Sequence, residues 1–266
     1  MLSLLSEQSE ANNRCSTRFC NGSKTGQPEA WGLAMRQTKA QPCDYDENPE
    51  RFLKNVKATE KYSGGDVHEE IAERFADEGM GQVLDLGCGE GRLVRPLHQK
   101  KIPVVAFDYS KRMLAAVSGR RVQGNATALP FEAKVFDAVA ALYMLYHIEK
   151  PEVVLKECHR VLRSGGAFVA TAPSRYNDPE LAEVLAYGEP ETFDAENGPE
   201  LVGEYFDVVE IERWDAPLIH LPSQEALSLY LAGRGLSDQE IQNALIKIET
   251  PLDLTKRGAL IFAKKL

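Results

Sequence analysis

Val83-Leu84-Asp85-Leu86-Gly87-Cys88-Gly89-Glu90-Gly91 is a short apolar run that breaks into three alternating glycines, and a helical pattern interrupted by Pro96 follows from Arg92 to Gln99. A strand running into glycines and then a helix brings bare backbone to the carboxyl edge of a sheet, because a Cβ at Gly87 or Gly89 would block whatever approaches there. A ligand is expected on this bend. Twenty-one residues after Gly87, Asp108 closes the next apolar run, Val104-Val105-Ala106-Phe107, at a place where a carboxylate accepts hydrogen bonds from both hydroxyls of a ribose.

Outward from this point the same rhythm continues. A helix is expected from Ser110 to Val117, a strand from Phe136 to Leu142 and a helix from Pro151 to Leu162. Pro151 suits a first helical turn, and Gly165-Gly166 reads as the helix stop before the strand Ala167-Phe168-Val169-Ala170-Thr171. Strands alternating with short helices mean βαβ units: an α/β fold with a mostly parallel sheet and helices on both faces. Upstream, Pro49, Phe52, Leu53 and Val56 predict a helix from Asn48 onward, and Val67, Ile71, Ala72 and Phe75 share the face of a second that Gly79 stops. Residues 1–40 are rich in Ser, Asn, Gln, Thr and Gly without any sustained period, and predict a disordered leader ahead of one domain over residues 41–266.

The tail departs from the alternation. Val208 to Asp215 and Gly258 to Lys264 read as strands, with helices from Gln224 to Ala232 and Asp238 to Ile248 between them. Ser237 with Glu240 forms a capping box that Leu236 and Ile241 staple. The helical insertion, about residues 217–257, is placed either to cover a site as a lid or only to bury the sheet edge.

Two ligands compete for the glycine bend. Dinucleotides require G-x-G-x-x-G facing a pyrophosphate, whereas the spacing here is G-x-G-x-G with Asp85 before it and Glu90 inside it. A pyrophosphate would meet two carboxylates. S-adenosylmethionine (SAM) has no phosphate and carries an ammonium and a sulfonium, so the acids favour SAM.

With these residues on the page, the chain resembles the class I SAM-dependent methyltransferases, in the branch similar to the ubiquinone/menaquinone-biosynthesis enzymes, over about residues 45–175. The resemblance rests on Asp85 to Gly91, on Phe107-Asp108-Tyr109-Ser110, on Gly124-Asn125-Ala126-Thr127-Ala128-Leu129-Pro130-Phe131, on Phe136-Asp137-Ala138-Val139 and on Val161-Leu162-Arg163-Ser164-Gly165-Gly166. It implies a Rossmann-like seven-stranded sheet with its last strand antiparallel and the helical insertion between the last two strands. It also implies cofactor contacts from Asp85, Gly87, Gly89, Asp108, Tyr109, Asn125, Ala126 and Leu142. Where the family usually has an acid, this chain has Asn125, whose oxygen either accepts the adenine amino hydrogen or only caps a turn.

Methyl transfer is an in-line displacement at an activated carbon, so the protein's main task is to align the reactants. His147, just past the fourth expected strand, is the candidate base for an acceptor that must lose a proton, or else it bonds only to its surroundings. Tyr45, Tyr143, Tyr146 and His147 are the candidate substrate contacts; Tyr62, Trp214, His220 and Tyr230 are further aromatic candidates for pocket or core.

Composition narrows the function classes. Of 266 residues 43% are apolar and 27% charged, as in an ordinary globular protein. The formal charge is −9, and residues 45–266 carry 36 acids against 26 bases, a balance that repels phosphate backbones. A small-molecule acceptor, neutral or cationic, is therefore expected, with no nucleic-acid or membrane partner; methylation of RNA or protein, or SAM binding without transfer, are the alternatives. The longest uncharged apolar stretch, Ala138 to Tyr146, has nine residues, too few for a membrane span, and a cytoplasmic protein is expected. Five cysteines without a C-x-x-C pair read as free thiols, with Cys88 and Cys158 inert in the core, and no metal site is evident.

Overall fold

The computed structural model describes residues 46–47, 49–62 and 67–266. The expected leader and Tyr45 lie outside the described residues, as does the side chain of Tyr62.

Seven strands build one sheet: β1 (Val83–Leu86), β2 (Val104–Asp108), β3 (Arg120–Gln123), β4 (Phe136–Leu142), β5 (Leu162–Pro173), β6 (Asp207–Leu221) and β7 (Leu252–Lys264). Their order is β3-β2-β1-β4-β5-β7-β6, parallel through the first five, with β7 antiparallel to both neighbours. The order reverses between β1 and β4, so a crevice opens beyond their carboxyl ends, where open α/β sheets bind ligands.

The helices are α1 (Pro49–Tyr62), α2 (Val67–Asp77), α3 (Val94–Gln99), α4 (Lys111–Ala115), α5 (Pro151–Val161), α6 (Gly198–Gly203), α7 (Gln224–Gly233) and α8 (Asp238–Lys247). The two-residue period of a strand divides the core between the faces of the sheet. Leu84, Leu86, Val105 and Phe107 pack with Val154, Leu155 and Cys158 of α5, while Val83, Val104 and Ala106 pack with Ile71 and Phe75 of α2 and Leu97 of α3. Each such fully buried Leu, Ile or Phe contributes about 1.5–3 kcal/mol. Asp85 lies in register with this second, apolar set.

Several boundaries differ from the sequence reading. β3 was not anticipated: Arg120, Arg121 and Gln123 are exposed on the sheet edge, where neither apolar alternation nor burial is needed. Helix α5 ends at Val161, and β5 begins at Leu162, earlier than the expected Ala167. Gly165 and Gly166 therefore lie inside the strand; Gly165 takes φ +75°, and a Cβ on Gly166 would come within 2.9 Å of the Asp137 carbonyl.

The tail shows the largest difference. Residues assigned to the helical insertion pair as strand instead, from Pro217 with Thr255 to Leu221 with Leu252. β5 stops pairing where Pro173 meets Gly258, so the β6–β7 ribbon continues about 20 Å past the carboxyl edge of the parallel strands. Pro217 is tolerated there because it sits at a register shift on an edge strand. Helices α7 and α8 crown this ribbon, the second one started by the Ser237–Glu240 capping box. They enclose a third core, in which Leu227, Tyr230, Leu231 and Ile241 pack with Ala58 of α1, Leu181 and Leu221.

Helix α7 crosses α1 at Gly233, where a Cβ would lie 2.7 Å from the Asn55 Cα. Gly233→Ala is therefore expected to push the two helices apart and to lower stability by about 1–3 kcal/mol, read by urea denaturation. An unchanged midpoint would show that the crossing tolerates the methyl group. No described helix is long and apolar enough to cross a membrane.

Candidate active site

Gly87, Gly89 and Gly91 take φ of +71°, +52° and +79°, the left-handed region that glycine occupies without penalty. That alternation turns the chain sharply at the end of β1, and the Gly87 and Cys88 N–H groups donate to the Phe107 carbonyl at 2.8 and 3.1 Å, tying the bend to β2. The steric reason for Gly87 differs from the sequence argument. An added Cβ would meet Met144 at 2.7 Å, so the missing side chain makes room for the protein's own loop after β4.

Asp108 organises the bend from below. Its Oδ2 accepts the Gly89 N–H and its Oδ1 the Ser110 N–H, each at 2.8 Å. Burial raises its pKa, opposed by these N–H groups and assisted by the nearby Asp46, which also accepts a hydrogen bond from the Ser110 hydroxyl. A carboxylate offers about four lone-pair sites, so the backbone N–H groups leave room for ligand hydroxyls. Beside it the Tyr109 ring is 64% exposed, a flat face lying open at the crevice.

Asp85 is the anomaly. It is buried in the sheet and its Oδ2 has no hydrogen-bond partner. Burial, and then the Asp108 charge, push its pKa up to about 8. A buried carboxylate without a donor is costly unless something external supplies one. The group that fits is a cation with N–H donors, which is the ammonium of SAM; a pyrophosphate placed here would confront Asp85 and Asp108. The residues present thus fit SAM.

The adenine segment follows β3. Asn125 is exposed, and its Oδ1 accepts from the Thr127 N–H at 3.0 Å and the Thr127 hydroxyl at 2.8 Å. Both lone pairs of that oxygen are engaged, so the turn-capping role is the one seen, and the amide presents its N–H donors instead. Ala126 is buried behind it. The segment is clamped from α5: Glu157 accepts the Leu129 N–H at 2.8 Å, and Arg160 donates to the carbonyls of Phe131 and Leu129 at 2.7 and 3.0 Å.

At the end of β4, Leu142 is buried and Tyr143 takes φ +54°, a conformation costly for a non-glycine residue and typical of functional turns. A single 3-10 turn, Leu145–His147, then sets the Tyr146 ring 4.5 Å from the His147 ring, both half-buried. The structure therefore collects Asp85, Gly87, Gly89, Asp108, Tyr109, Asn125, Ala126, Leu142, Tyr143, Tyr146 and His147 on the carboxyl ends of four adjacent parallel strands.

The tail aromatics divide. The Trp214 ring lies across Gly258 in the β6–β7 ribbon as a packing residue. His220 is exposed and pairs with Asp253 at 2.6 Å on the ribbon's surface, away from any pocket role. Tyr230 is fully buried and belongs to a polar cluster that sequence reasoning missed. Its hydroxyl donates to Asp178 at 2.7 Å, and Lys256 donates to the other oxygen of Asp178 at 2.7 Å. The only local signal was Asn177-Asp178-Pro179, a turn sequence in which Asp178 takes φ +55°.

Cys88 and Cys158 are free, buried thiols whose pKa burial raises, in keeping with inert core residues. Among the described residues no group of three or more His, Cys, Asp or Glu could hold a metal ion.

Comparison with known proteins agrees with this geometry. Residues 84–170 match the family described as Methyltransferase domain. A demethylmenaquinone methyltransferase of Renibacterium salmoninarum is 38% identical over 33% of this chain and 39% of its own length. The ubiquinone/menaquinone biosynthesis C-methyltransferase UbiE of Desulfotalea psychrophila is 34% identical over 45% of this chain and 58% of its own. The chain thus spans about two-fifths to three-fifths of these relatives. A putative methyltransferase structure from Bacillus halodurans superposes with a TM-score of 0.57 at 19% identity, covering 74% of this chain and 98% of that one. The [4+2]-cyclase SpnF gives 0.57 at 17% identity, covering 86% and 98%. These two likenesses show a common fold.

Proposed function

Because this chain belongs to the class I SAM-dependent methyltransferases, in their UbiE-like branch, we propose that it methylates a small-molecule acceptor bound between the loop after β4 and the helical insertion. The observation that carries the reading is the buried, unpartnered Asp85 oxygen beside the three left-handed glycines. When bound, SAM supplies a methyl group already activated on a sulfonium for in-line displacement.

The chain's own residues do the rest. Asp85 would hold the ammonium, and the lone pairs of Asp108 that the backbone leaves open would take the ribose hydroxyls. Tyr109 offers a face for the adenine, with Asn125 and Ala126 at its edge. Tyr143 and Tyr146 wall the acceptor side, and the His147 imidazole accepts the proton of an acceptor that must lose one. A quinone ring is the acceptor class that the names of the relatives suggest.

Tritium from methyl-labelled SAM, offered with a small-metabolite extract, with total RNA and with total protein, tests the reading. Label in the small-metabolite arm supports it, and label confined to RNA or protein would replace it. SAM binding without any transfer would leave a protein that uses the fold for another purpose, as the SpnF neighbour shows is feasible. His147→Ala is expected to lower turnover by about 10²-fold while the SAM dissociation constant stays within about twofold. Unchanged turnover removes His147 from the reaction.

A further inference from the structure

The adenine segment between β3 and β4 is neither helix nor strand, so its shape is set by what holds its ends. At the first end the Gly124 N–H donates to the Asp108 carbonyl at 3.1 Å, and a Cβ on Gly124 would meet the Phe107 ring at 2.7 Å. At the second, the Phe131 ring stands edge-on to Phe107 and Phe136, with centroids 6.0 and 5.1 Å apart. Asn125 and Ala126 lie between these anchors.

Helix α5 closes the second end with one ion pair. Arg160 Nε and Nη2 donate to Glu157 Oε1 and Oε2, each at 2.8 Å, the planar fork meeting the carboxylate twice. The same Oε2 accepts the Leu129 N–H at 2.8 Å, while the guanidinium donates to the carbonyls of Phe131 and Leu129 at 2.7 and 3.0 Å. Arg160 holds the Glu157 carboxyl below the usual carboxylate range, so the pair stays charged near neutrality. Both side chains are half-buried, and a pair so placed adds little to global stability. What it does fix is the position of three backbone groups in the loop.

We propose that Glu157 and Arg160 are positioning residues for recognition of the cofactor's base, acting through the loop they clamp. The inference deepens the SAM site and rests on the adenine lying at Asn125 and Ala126. Because the Asn125 oxygen is spent on Thr127, its amide has only N–H donors to offer the base. Adenine presents a lone pair at N1 to such a donor, whereas hypoxanthine presents an N–H. The protein therefore discriminates between the two bases only while the clamp keeps the loop in register.

The test is calorimetric titration of the full chain with S-adenosylhomocysteine and with S-inosylhomocysteine. The parent is expected to hold the adenine compound about 30-fold more tightly. Arg160→Met should weaken S-adenosylhomocysteine by about 30-fold and S-inosylhomocysteine by less than about threefold, so that the preference disappears. Glu157→Gln should cost S-adenosylhomocysteine about 5-fold, since the amide oxygen still takes the Leu129 N–H. Arg160→Lys should cost it about 10-fold, because Lys keeps the charge and loses the fork, and this variant decides the matter if Arg160→Met does not fold. Combining Arg160→Met with Glu157→Gln should add nothing to Arg160→Met alone, the mark of two groups that work as a unit. A urea midpoint near the parent's reports an intact fold. No base preference in the parent, equal weakening of both compounds in the variants, losses that multiply in the double variant, or unchanged affinity in folded Arg160→Met or Arg160→Lys would each overturn the inference. Uptake of neither compound by the parent would overturn the SAM reading itself.

Discussion

Asp85→Asn is expected to make the protein more stable and, at the same time, poor at holding SAM. Burial lifts the Asp85 carboxyl from 3.8 to about 8, so between those pH values the folded chain keeps a proton that the unfolded chain has released. Stability therefore falls as pH rises through this window, by about 4 kcal/mol at pH 7. The amide has no such penalty. Asp85→Asn should gain about 2–4 kcal/mol at pH 7–8, progressively less toward pH 5, and nothing near pH 4. Denaturant titrations at pH 4, 6 and 8 read the trend directly. The same change removes the anion opposite the ammonium and should weaken SAM binding by about 100-fold. A variant less stable than the parent at pH 8 would show that Asp85 has a structural partner.

Asp108→Ala should move stability the other way. That carboxylate holds the Gly89 and Ser110 N–H groups at 2.8 Å, so the alanine leaves two backbone donors open and frees the bend from β2. A loss of about 1–3 kcal/mol is expected from the donors. Losing the ribose contacts and the shape of the bend together should reduce S-adenosylhomocysteine affinity by at least about 10³-fold. Asp108→Asn should fall between, because one amide oxygen can still take one of the two N–H groups. If Asp108→Ala bound as the parent does, the ribose assignment would fail. Two acids of one site with opposite effects on stability make a signature that general disruption does not produce.

Legibility in the sequence followed the range of the interactions concerned. Gly87, Gly89 and Gly91 could be read because their backbone angles are a local demand that few residues meet. The Ser237–Glu240 capping box and the end of β4 at Leu142 were equally local. Arg120–Gln123 was invisible because a polar edge strand takes its order from β2 and its solubility from its charges. The extra pairs of β6 and β7 were hidden for a related reason. Pro217 and His220 look like loop residues, and only the partner strand makes them ribbon.

The site divided along the same line. Asp85, Asp108 and the residues after β4 follow from strand ends that the alternation marks. The Asp178–Tyr230–Lys256 cluster comes from the loop after β5, α7 and β7, and no sequence spacing connects its members. For Asn125 the sequence held both readings, and the contact with Thr127 favours the turn.

The central claim is that the glycine bend, with Asp85 protonated beneath it, is built for a cationic nucleoside. Calorimetric titration with SAM at pH 7, in buffers of different ionisation enthalpy, tests it most directly. Micromolar binding is expected, with a proton released as Asp85 ionises against the incoming ammonium, and with that release absent in Asp85→Asn. Saturable binding of NADH or FAD together with no uptake of SAM or S-adenosylhomocysteine would contradict it.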